Sequence, residues 1–360
     1  MPLRFHAPYM EWAKTRPEAR FDLALSNVLG CSLEDLEGAR DAVVFAGRNE
    51  NGYQPLIEAI AGRYCVDPSQ VTTASGASGA NFQVCAALLQ SGDDVLVERP
   101  GYDPLLGAPR LLGARTVRFE RAFDDRYAID PERVRAALTP RTRLIIVTSP
   151  HNPTGAITDA SALAEVGRIA ESVDAYVLVD EVYLDAAGVS VRPASHLGDR
   201  FISTSSLTKS YGLASLRSGW ALSSPAVAER IRRARDVIDG TGSVVAERLA
   251  TLAFDQLPRL AGRANELLST NGRIMRQFLQ SRPELQWVDP GGATVVFPRI
   301  RGVDDASRFA ERLLSERDTA VVPGRFFEAP AHVRLGFGSA TDNVRGGLAA
   351  LGAALDARAW

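Results

Sequence analysis

Short apolar runs alternate with longer amphipathic stretches between about residues 71 and 224. The centres of "DVLVE" and "RLIIV", and all of "YVLV", are continuously apolar, which is typical of strands buried on both faces of a sheet. Between such runs, stretches such as "ALAEVGRIAESV" place apolar residues at helical spacing. The pattern predicts an α/β fold with a mostly parallel seven-stranded sheet and helices on both faces.

The last third of the chain has a different pattern. Residues 226–280 have the spacing of long amphipathic helices, interrupted at the glycines of "DGTGS" (239–243), and short strands mixed with helices follow. This mixture predicts a smaller α+β domain. We expect residues 42–255 to form the large domain, and residues 1–41 together with 256–360 to form the small one.

Composition and charge exclude several classes of protein. With 41 basic and 43 acidic residues among 360, the net charge is −2, so we expect no nucleic-acid partner. The N-terminus lacks an apolar signal segment and no apolar run is long enough to span a bilayer, so we expect a cytoplasmic protein without a membrane partner. Three scattered cysteines favour a reducing compartment and, with four dispersed histidines, predict no metal site.

Polar residues follow the predicted strands at their carboxyl ends. In open α/β sheets, ligands bind beyond those ends, so side chains placed there would face one crevice. The residues at these positions are Ser75 to Ser78, Tyr102, Asn152, Asp180, Tyr183 and Lys209.

The residue types in this set suit one cofactor. A desolvated lysine such as Lys209 can lose its proton and form a Schiff base with an aldehyde, which pyridoxal phosphate requires. Asp180 offers an acid for the pyridine nitrogen, the helix that "SGASG" opens offers N–H groups for the phosphate, and Arg217 adds a cation. Each feature alone has an ordinary explanation, since single lysines are usually solvated and Gly/Ser clusters are usually turns.

The order and spacing of these residues match a known family. Its motifs Ser-x-x-Lys followed eight residues later by Arg-x-Gly, Asn-Pro-x-Gly and Asp-x-x-Tyr are matched by Ser206, Lys209, Arg217 and Gly219, by "NPTG" at Asn152, and by Asp180 with Tyr183. The chain resembles the class I/II aminotransferases of the aspartate aminotransferase superfamily, fold type I, over about residues 20–345. The resemblance implies a homodimeric pyridoxal-phosphate enzyme that moves an amino group between an L-amino acid and a 2-oxo acid.

The resemblance also implies a role for individual residues. Lys209 would form the Schiff base and move the substrate's proton, while Asp180 would pair with the pyridine nitrogen of the cofactor. Tyr183 and Asn152 would bind the cofactor's phenolic oxygen, and Tyr102 would stack on its ring. The phosphate would be held by Ala77, Ser78, Ser206 and Arg217. Arg334 would bind the substrate's α-carboxylate, with Asn152 on the same substrate side. In the N-terminal substrate loop, where relatives often have Gly and Pro, this chain has "LALSNVLGC" instead, and its Ser26 and Asn27 either hydrogen-bond the substrate or form an ordinary turn.

Some positions depart from the family pattern. Gly47 stands where relatives place a tyrosine that reaches the partner subunit's phosphate, and Phe45, Arg48 and Tyr53 are out of register with it. Leu105 replaces a histidine of the aspartate-specific enzymes, so we do not expect a dicarboxylic substrate. The same cofactor machinery supports β-elimination, cyclisation or oxidation, and these chemistries stay open. A ligand-sensing domain is disfavoured because only about 20 residues precede "FDLALSN", too few for a DNA-binding helix-turn-helix.

Overall fold

The computed structural model describes residues 6–187 and 192–358; residues 1–5, 188–191 and 359–360 lie outside the described part. Its strands are β1 (Phe21–Asp22), β2 (Val71–Ser75), β3 (Asp94–Arg99), β4 (Arg115–Glu120), β5 (Thr142–Thr148), β6 (Tyr176–Asp180), β7 (Phe201–Ser206), β8 (Ser218–Leu222), β9 (Leu285–Gln286), β10 (Val295–Val296), β11 (Arg299–Ile300), β12 (Thr319–Ala320), β13 (Val322–Pro323) and β14 (Val333–Gly336). Its helices are α1 (Pro8–Thr15), α2 (Ala39–Ala42), α3 (Gln54–Tyr64), α4 (Gly76–Leu88), α5 (Asp103–Leu111), α6 (Pro131–Ala137), α7 (Ala160–Glu171), α8 (Pro225–Ile238), α9 (Val244–Asp255), α10 (Leu257–Gln280), α11 (Ser307–Arg317) and α12 (Thr341–Asp356).

The central sheet has seven strands in the order β2-β8-β7-β6-β5-β3-β4. Strand β8 runs antiparallel to both of its neighbours, and the other pairs are parallel. The predicted α/β fold with a mostly parallel seven-stranded sheet is confirmed. The register pairs Thr148 with Asp180 and Asp180 with Thr204, so three strands deliver polar residues to the same edge of the sheet.

Alternate residues of the central strands pack against helices on opposite faces of the sheet. Leu144 and Ile146 of β5 belong to a core cluster with side chains of α4, α5 and α8. Ile145 and Val147 belong to a second cluster with side chains of α7. Because both faces are covered, these strands need apolar residues at every position, which explains their continuous apolar runs.

The C-terminal part builds its own core. Phe309, Leu348 and Leu351 of α11 and α12 pack together with Met275 of α10 and with the short strands of this region. From the N-terminal segment, Leu23 joins this core, and β1 pairs with β12 in parallel. The exact boundaries of the two domains stay a prediction.

Within residues 6–187 and 192–358, no helix combines the length and the apolar character that a bilayer crossing requires.

Candidate active site

A cavity of about 480 Å³ lies at the carboxyl ends of the central strands. Eleven of the twelve site residues that the sequence predicts line it, namely Ser26, Asn27, Ala77, Ser78, Tyr102, Asn152, Asp180, Tyr183, Ser206, Lys209 and Arg217. The twelfth, Arg334, is fully buried behind the wall, where its guanidinium contacts Asn152. The fold therefore brings together side chains that are up to about three hundred positions apart in the sequence.

Lys209 is one of only two lysines in the chain; the other, Lys14, lies on α1 and also lines the cavity. Lys209 follows β7, and its Nζ donates a hydrogen bond to Ser26 Oγ at 2.9 Å. Burial, with a further contribution from the charge of Arg334, lowers the pKa of Lys209 to about 8. A substantial fraction of this amine is therefore neutral and nucleophilic in mildly alkaline solution.

Asp180 lies at the end of β6 and is buried. Asn81 Nδ2 donates to Asp180 Oδ2 at 2.8 Å, and the Val182 N–H donates to Oδ1 at 3.1 Å. Burial raises the pKa of Asp180, while these donors and the positive charge of Lys209 oppose the rise. Such a carboxylate can hold a positively charged nitrogen inside the cavity.

The N-terminus of α4 and Arg217 form an anion-binding corner. Ala77 and Ser78 are the second and third residues of α4, so their N–H groups have no partner within the helix. Arg217 Nη2 donates to the Ser75 carbonyl at 3.3 Å. Gly76 has a φ of +73°, and a Cβ there would lie 2.5 Å from Arg217 Nη2. Glycine therefore lets the arginine approach the helix end closely.

Aromatic and amide side chains form the walls. Tyr102 precedes α5 and contacts Met10 through its hydroxyl. Tyr183 is almost fully buried; Ser26 lies near its hydroxyl, yet that oxygen makes no hydrogen bond with a described residue. Burial raises the pKa of Tyr183 to about 12, so the phenol keeps its proton at neutral pH.

A buried polar network supports the wall that carries Asn152. Arg121 Nη1 donates to Glu98 Oε2 at 2.7 Å, and both side chains are at most 1% exposed. Glu98 Oε1 accepts from both the N–H and the hydroxyl of Thr148. Thr148 Oγ1 in turn accepts from the Asn152 N–H at 3.0 Å. The ion pair thus fixes the end of β5 and, through it, the position of Asn152.

These groups fit pyridoxal phosphate. A buried carboxylate, a desolvated lysine, a helix terminus with an arginine and the unpartnered Tyr183 hydroxyl match the pyridine nitrogen, the aldehyde, the phosphate and the phenolic oxygen of that cofactor.

Sequence reasoning missed several residues that shape the site. Asn81 in α4 and the Glu98–Arg121 pair lie one layer behind the cavity, and α1 supplies part of its wall. Two polar residues, Asn81 and Gln83, interrupt the otherwise apolar "ANFQV", which was a signal for a buried polar role on this helix. No local pattern links Glu98 to Arg121, because the pairing of β3 with the segment after β4 exists only in the folded chain.

Comparisons with known proteins place this chain among characterised relatives. The family model for aminotransferase class I and II matches residues 37–351. Capreomycidine synthase of Streptomyces vinaceus is 30% identical over 360 aligned residues, which cover 96% of this chain and 92% of that protein. A PLP-dependent aminotransferase structure from Streptococcus suis superposes with a TM-score of 0.93 at 27% identity, covering 99% of both chains. The PLP-dependent cyclase OrfR superposes with a TM-score of 0.88 at 29% identity, covering 100% of this chain and 99% of that one.

The fold and the cavity define a pyridoxal-phosphate enzyme of fold type I. The chain belongs to the class I and II aminotransferase family, and its cofactor is pyridoxal 5′-phosphate.

Proposed function

We propose that this protein is an aminotransferase that moves an amino group between an L-amino acid and a 2-oxo acid, with Lys209 as the lysine that holds the cofactor. The observation that carries the proposal is the position of the Lys209 amine. Its pKa is lowered to about 8, and it shares one cavity with Asp180 and the anion-binding corner at Arg217. A lysine that only served solubility would not be buried between these groups.

Each cofactor-binding role rests on a contact of this chain. Ala77, Ser78, Ser206 and Arg217 would hold the phosphate, because they line the corner at the start of α4. Asp180 would hold the protonated pyridine nitrogen, with Asn81 fixing the carboxylate. Tyr183 and Asn152 would donate to the phenolic oxygen, and Tyr102 would cover the ring.

Proton transfer is the task of Lys209 itself. When bound, the cofactor supplies an electron sink that stabilises negative charge on the substrate's α-carbon. Lys209 in its neutral form accepts the α-proton, and a pKa near 8 balances its basicity against the fraction that is unprotonated. Ser26, which accepts a hydrogen bond from Nζ at 2.9 Å, orients this amine on the substrate side.

The substrate side of the cavity selects an amino acid. Arg334 would bind the α-carboxylate, because it is a buried guanidinium held by Asn152 Oδ1 at 3.0 Å. Asn27 lines the same side as Ser26. We therefore propose Arg334, Asn152, Ser26 and Asn27 as substrate-binding residues.

Cyclisation of an amino acid is the second candidate function. Capreomycidine synthase matches nearly the whole chain, and a structure named as a PLP-dependent cyclase superposes over all of it. These similarities favour cyclisation over the β-elimination and oxidation that the shared machinery also supports.

We propose a homodimer, since two highly exposed apolar side chains belong to segments that contact each other. Phe45 and Val237 are each 89% exposed. The segments that carry them are joined by a hydrogen bond of 2.7 Å from Asn49 Nδ2 to the Gly242 carbonyl. A second copy would cover this surface. Three free cysteines are compatible with the cytoplasm as its location.

The dimer has its own test. Phe45→Glu should lower the sedimentation coefficient to that of a monomer, whereas the control Leu197→Glu, at an apolar residue 40% exposed elsewhere, should leave it unchanged. Equal sedimentation of the two variants would contradict this interface.

The lysine pair allows a direct test of the cofactor assignment. Borohydride reduction of cofactor-loaded protein, followed by peptide mass mapping, should place a pyridoxyl adduct on the peptide with Lys209. Lys14→Ala should keep the adduct and Lys209→Ala should lose both adduct and turnover. An adduct on Lys14 alone, or none, would overturn the proposal.

Reaction type is decided by products. A panel of amino acids should give 2-oxo acids and convert the cofactor to its amine form, which a second 2-oxo acid restores. A cyclic amino acid formed without any 2-oxo acid would show that the reaction is cyclisation and not transamination. Free ammonia would indicate elimination or oxidation.

A further inference from the structure

The first helix contributes a tyrosine to the environment of Arg334. Tyr9, on α1, lines the cavity and is 8% exposed. Its backbone N–H donates to Asp103 Oδ2 at 3.1 Å, next to the cavity residue Tyr102. Its ring packs edge-on against Tyr102, with ring centroids 5.8 Å apart. Tyr9 is therefore held in place from two directions.

Arg334 is a buried cation, and the partners that the described residues give it are neutral oxygens. Nη1 donates to Asn152 Oδ1 at 3.0 Å, and Nη2 donates to Tyr9 Oη at 2.7 Å and to the Ala24 carbonyl at 3.0 Å. Its Nε makes no hydrogen bond with a described residue. Among residues 6–187 and 192–358, the structure gives Arg334 no carboxylate partner. A buried charge in this state favours an incoming anion.

The Tyr9 hydroxyl has one hydrogen-bonding role left. It accepts from Arg334, and no described residue accepts the tyrosine's own proton. The Tyr9 ring also lies against the guanidinium, with Arg334 Cζ 5.1 Å from the centroid of that ring. On the Phe327 side, Arg334 Cζ is 5.0 Å from the Phe327 ring centroid. The phenol oxygen is thus fixed beside the cation, and its O–H is free to donate.

We propose that Tyr9 is a carboxylate-binding residue: it fixes the Arg334 guanidinium and donates its own proton to the α-carboxylate of the amino acid or 2-oxo acid. This inference rests on the proposed function and adds to it a residue outside the motifs that contain Lys209, Asn152 and Asp180. It makes α1 part of the site that distinguishes an amino acid from an amine.

Tyr9→Phe removes the hydroxyl and keeps the ring that lies over Arg334. A hydrogen bond to a charged group is involved, so we expect the KM and the dissociation constant of an amino acid to rise about ten- to hundredfold. The probes are pairs of an amino acid and its decarboxylated amine: L-arginine with agmatine, L-phenylalanine with 2-phenylethylamine, and L-alanine with ethylamine. Binding of the amines, which lack the carboxylate, should change less than about twofold by spectral titration.

The control is Tyr127→Phe, which removes another buried tyrosine hydroxyl, one that bonds to His332 at 3.0 Å outside the cavity lining. It should lower thermal stability without changing the preference for amino acids over amines. If Tyr9→Phe weakens the amino acids and the amines equally, or weakens neither, the inference is wrong. The borohydride adduct on Lys209 would in that case still support the proposed function.

A structural readout uses the unaltered sequence and needs no turnover. Crystals of the cofactor-loaded protein soaked with 3-methylbutanoate should show a carboxylate oxygen within hydrogen-bond distance of both Tyr9 Oη and the Arg334 guanidinium. A carboxylate bound to Arg334 with Tyr9 turned away from it would overturn the inference, even if the Tyr9→Phe protein failed to fold.

Discussion

Asn81 donates a hydrogen bond of 2.8 Å to Asp180, and Thr204 donates one of 2.6 Å to the side-chain oxygen of Asn81. A residue inside a helix thereby orients the carboxylate at the end of a neighbouring strand. All three side chains are buried, so each bond has few competing water molecules.

Asn81→Leu should weaken cofactor binding. Asp180 would lose its side-chain donor in a buried site, so its pKa would rise further. A carboxyl group that is less readily ionised would bind a protonated nitrogen more weakly. We expect the dissociation constant of pyridoxal phosphate to rise about tenfold or more, measured by absorbance titration. Gln83→Leu, at another buried polar position of α4, is the matched control and should leave that constant unchanged. Equal effects of both variants would show that α4 is simply destabilised.

The reactivity of Lys209 should depend on pH with a midpoint near 8. The neutral amine is the nucleophile, so its fraction rises with pH and reaches a plateau above the lowered pKa of about 8 rather than near 10.5. In cofactor-free Lys14→Arg protein, Lys209 is the only lysine, and its rate of acylation can be followed by peptide mass mapping. Arg334→Met should raise the midpoint, because one nearby positive charge is removed. A midpoint close to 10.5 in the unaltered cavity would contradict the prediction.

Gly76→Ala should impair phosphate binding. A Cβ at this position would lie 2.5 Å from Arg217 Nη2, and the backbone φ of +73° is unfavourable for alanine. We expect a loss of about 1 to 3 kcal/mol in the free energy of unfolding. The variant should also lose more affinity for pyridoxal phosphate than for pyridoxal, which has no phosphate group. Gly79→Ala is the control in the same helix, where an added Cβ would lie 3.4 Å from its nearest neighbour. This substitution should leave the free energy of unfolding unchanged or raise it. Similar losses in both variants would show that the close approach of Arg217 is irrelevant.

Arg121→Met should destabilise the fold strongly. Glu98 would remain buried without its partner, and breaking such a pair costs about 3–5 kcal/mol. Burial already raises the pKa of Glu98 against the opposing charge of Arg121, so the pKa would rise further in the variant. The Glu98 carboxyl of the variant would then be neutral at low pH. The loss in free energy of unfolding relative to the unaltered protein, measured by urea denaturation, should therefore be smaller at about pH 5 than at about pH 8. Adding Glu98→Gln should recover part of the loss; no recovery would mean that packing, not charge, dominates.

Much of this molecule was predictable from local sequence. Continuous apolar runs predicted the central sheet because strands covered on both faces have no solvent side. The strand-end rule predicted that Tyr102, Asn152, Asp180 and Lys209 share a crevice, and the structure places all four around one cavity. The two-residue strands of the C-terminal part have too few positions to show a period, so their pairing was not predictable.

The sequence by itself determined the family, the sheet and the chemistry of the cavity floor, because those depend on residue types at fixed spacing along one element. Only the tertiary structure decided which groups tune that chemistry. Asn81 meets Asp180, Ser26 meets Lys209, and Tyr9 meets Arg334 across 99, 183 and 325 positions. Such contacts are set by packing between elements, and the pKa of Lys209 depends on the burial and the neighbouring charges that this packing creates.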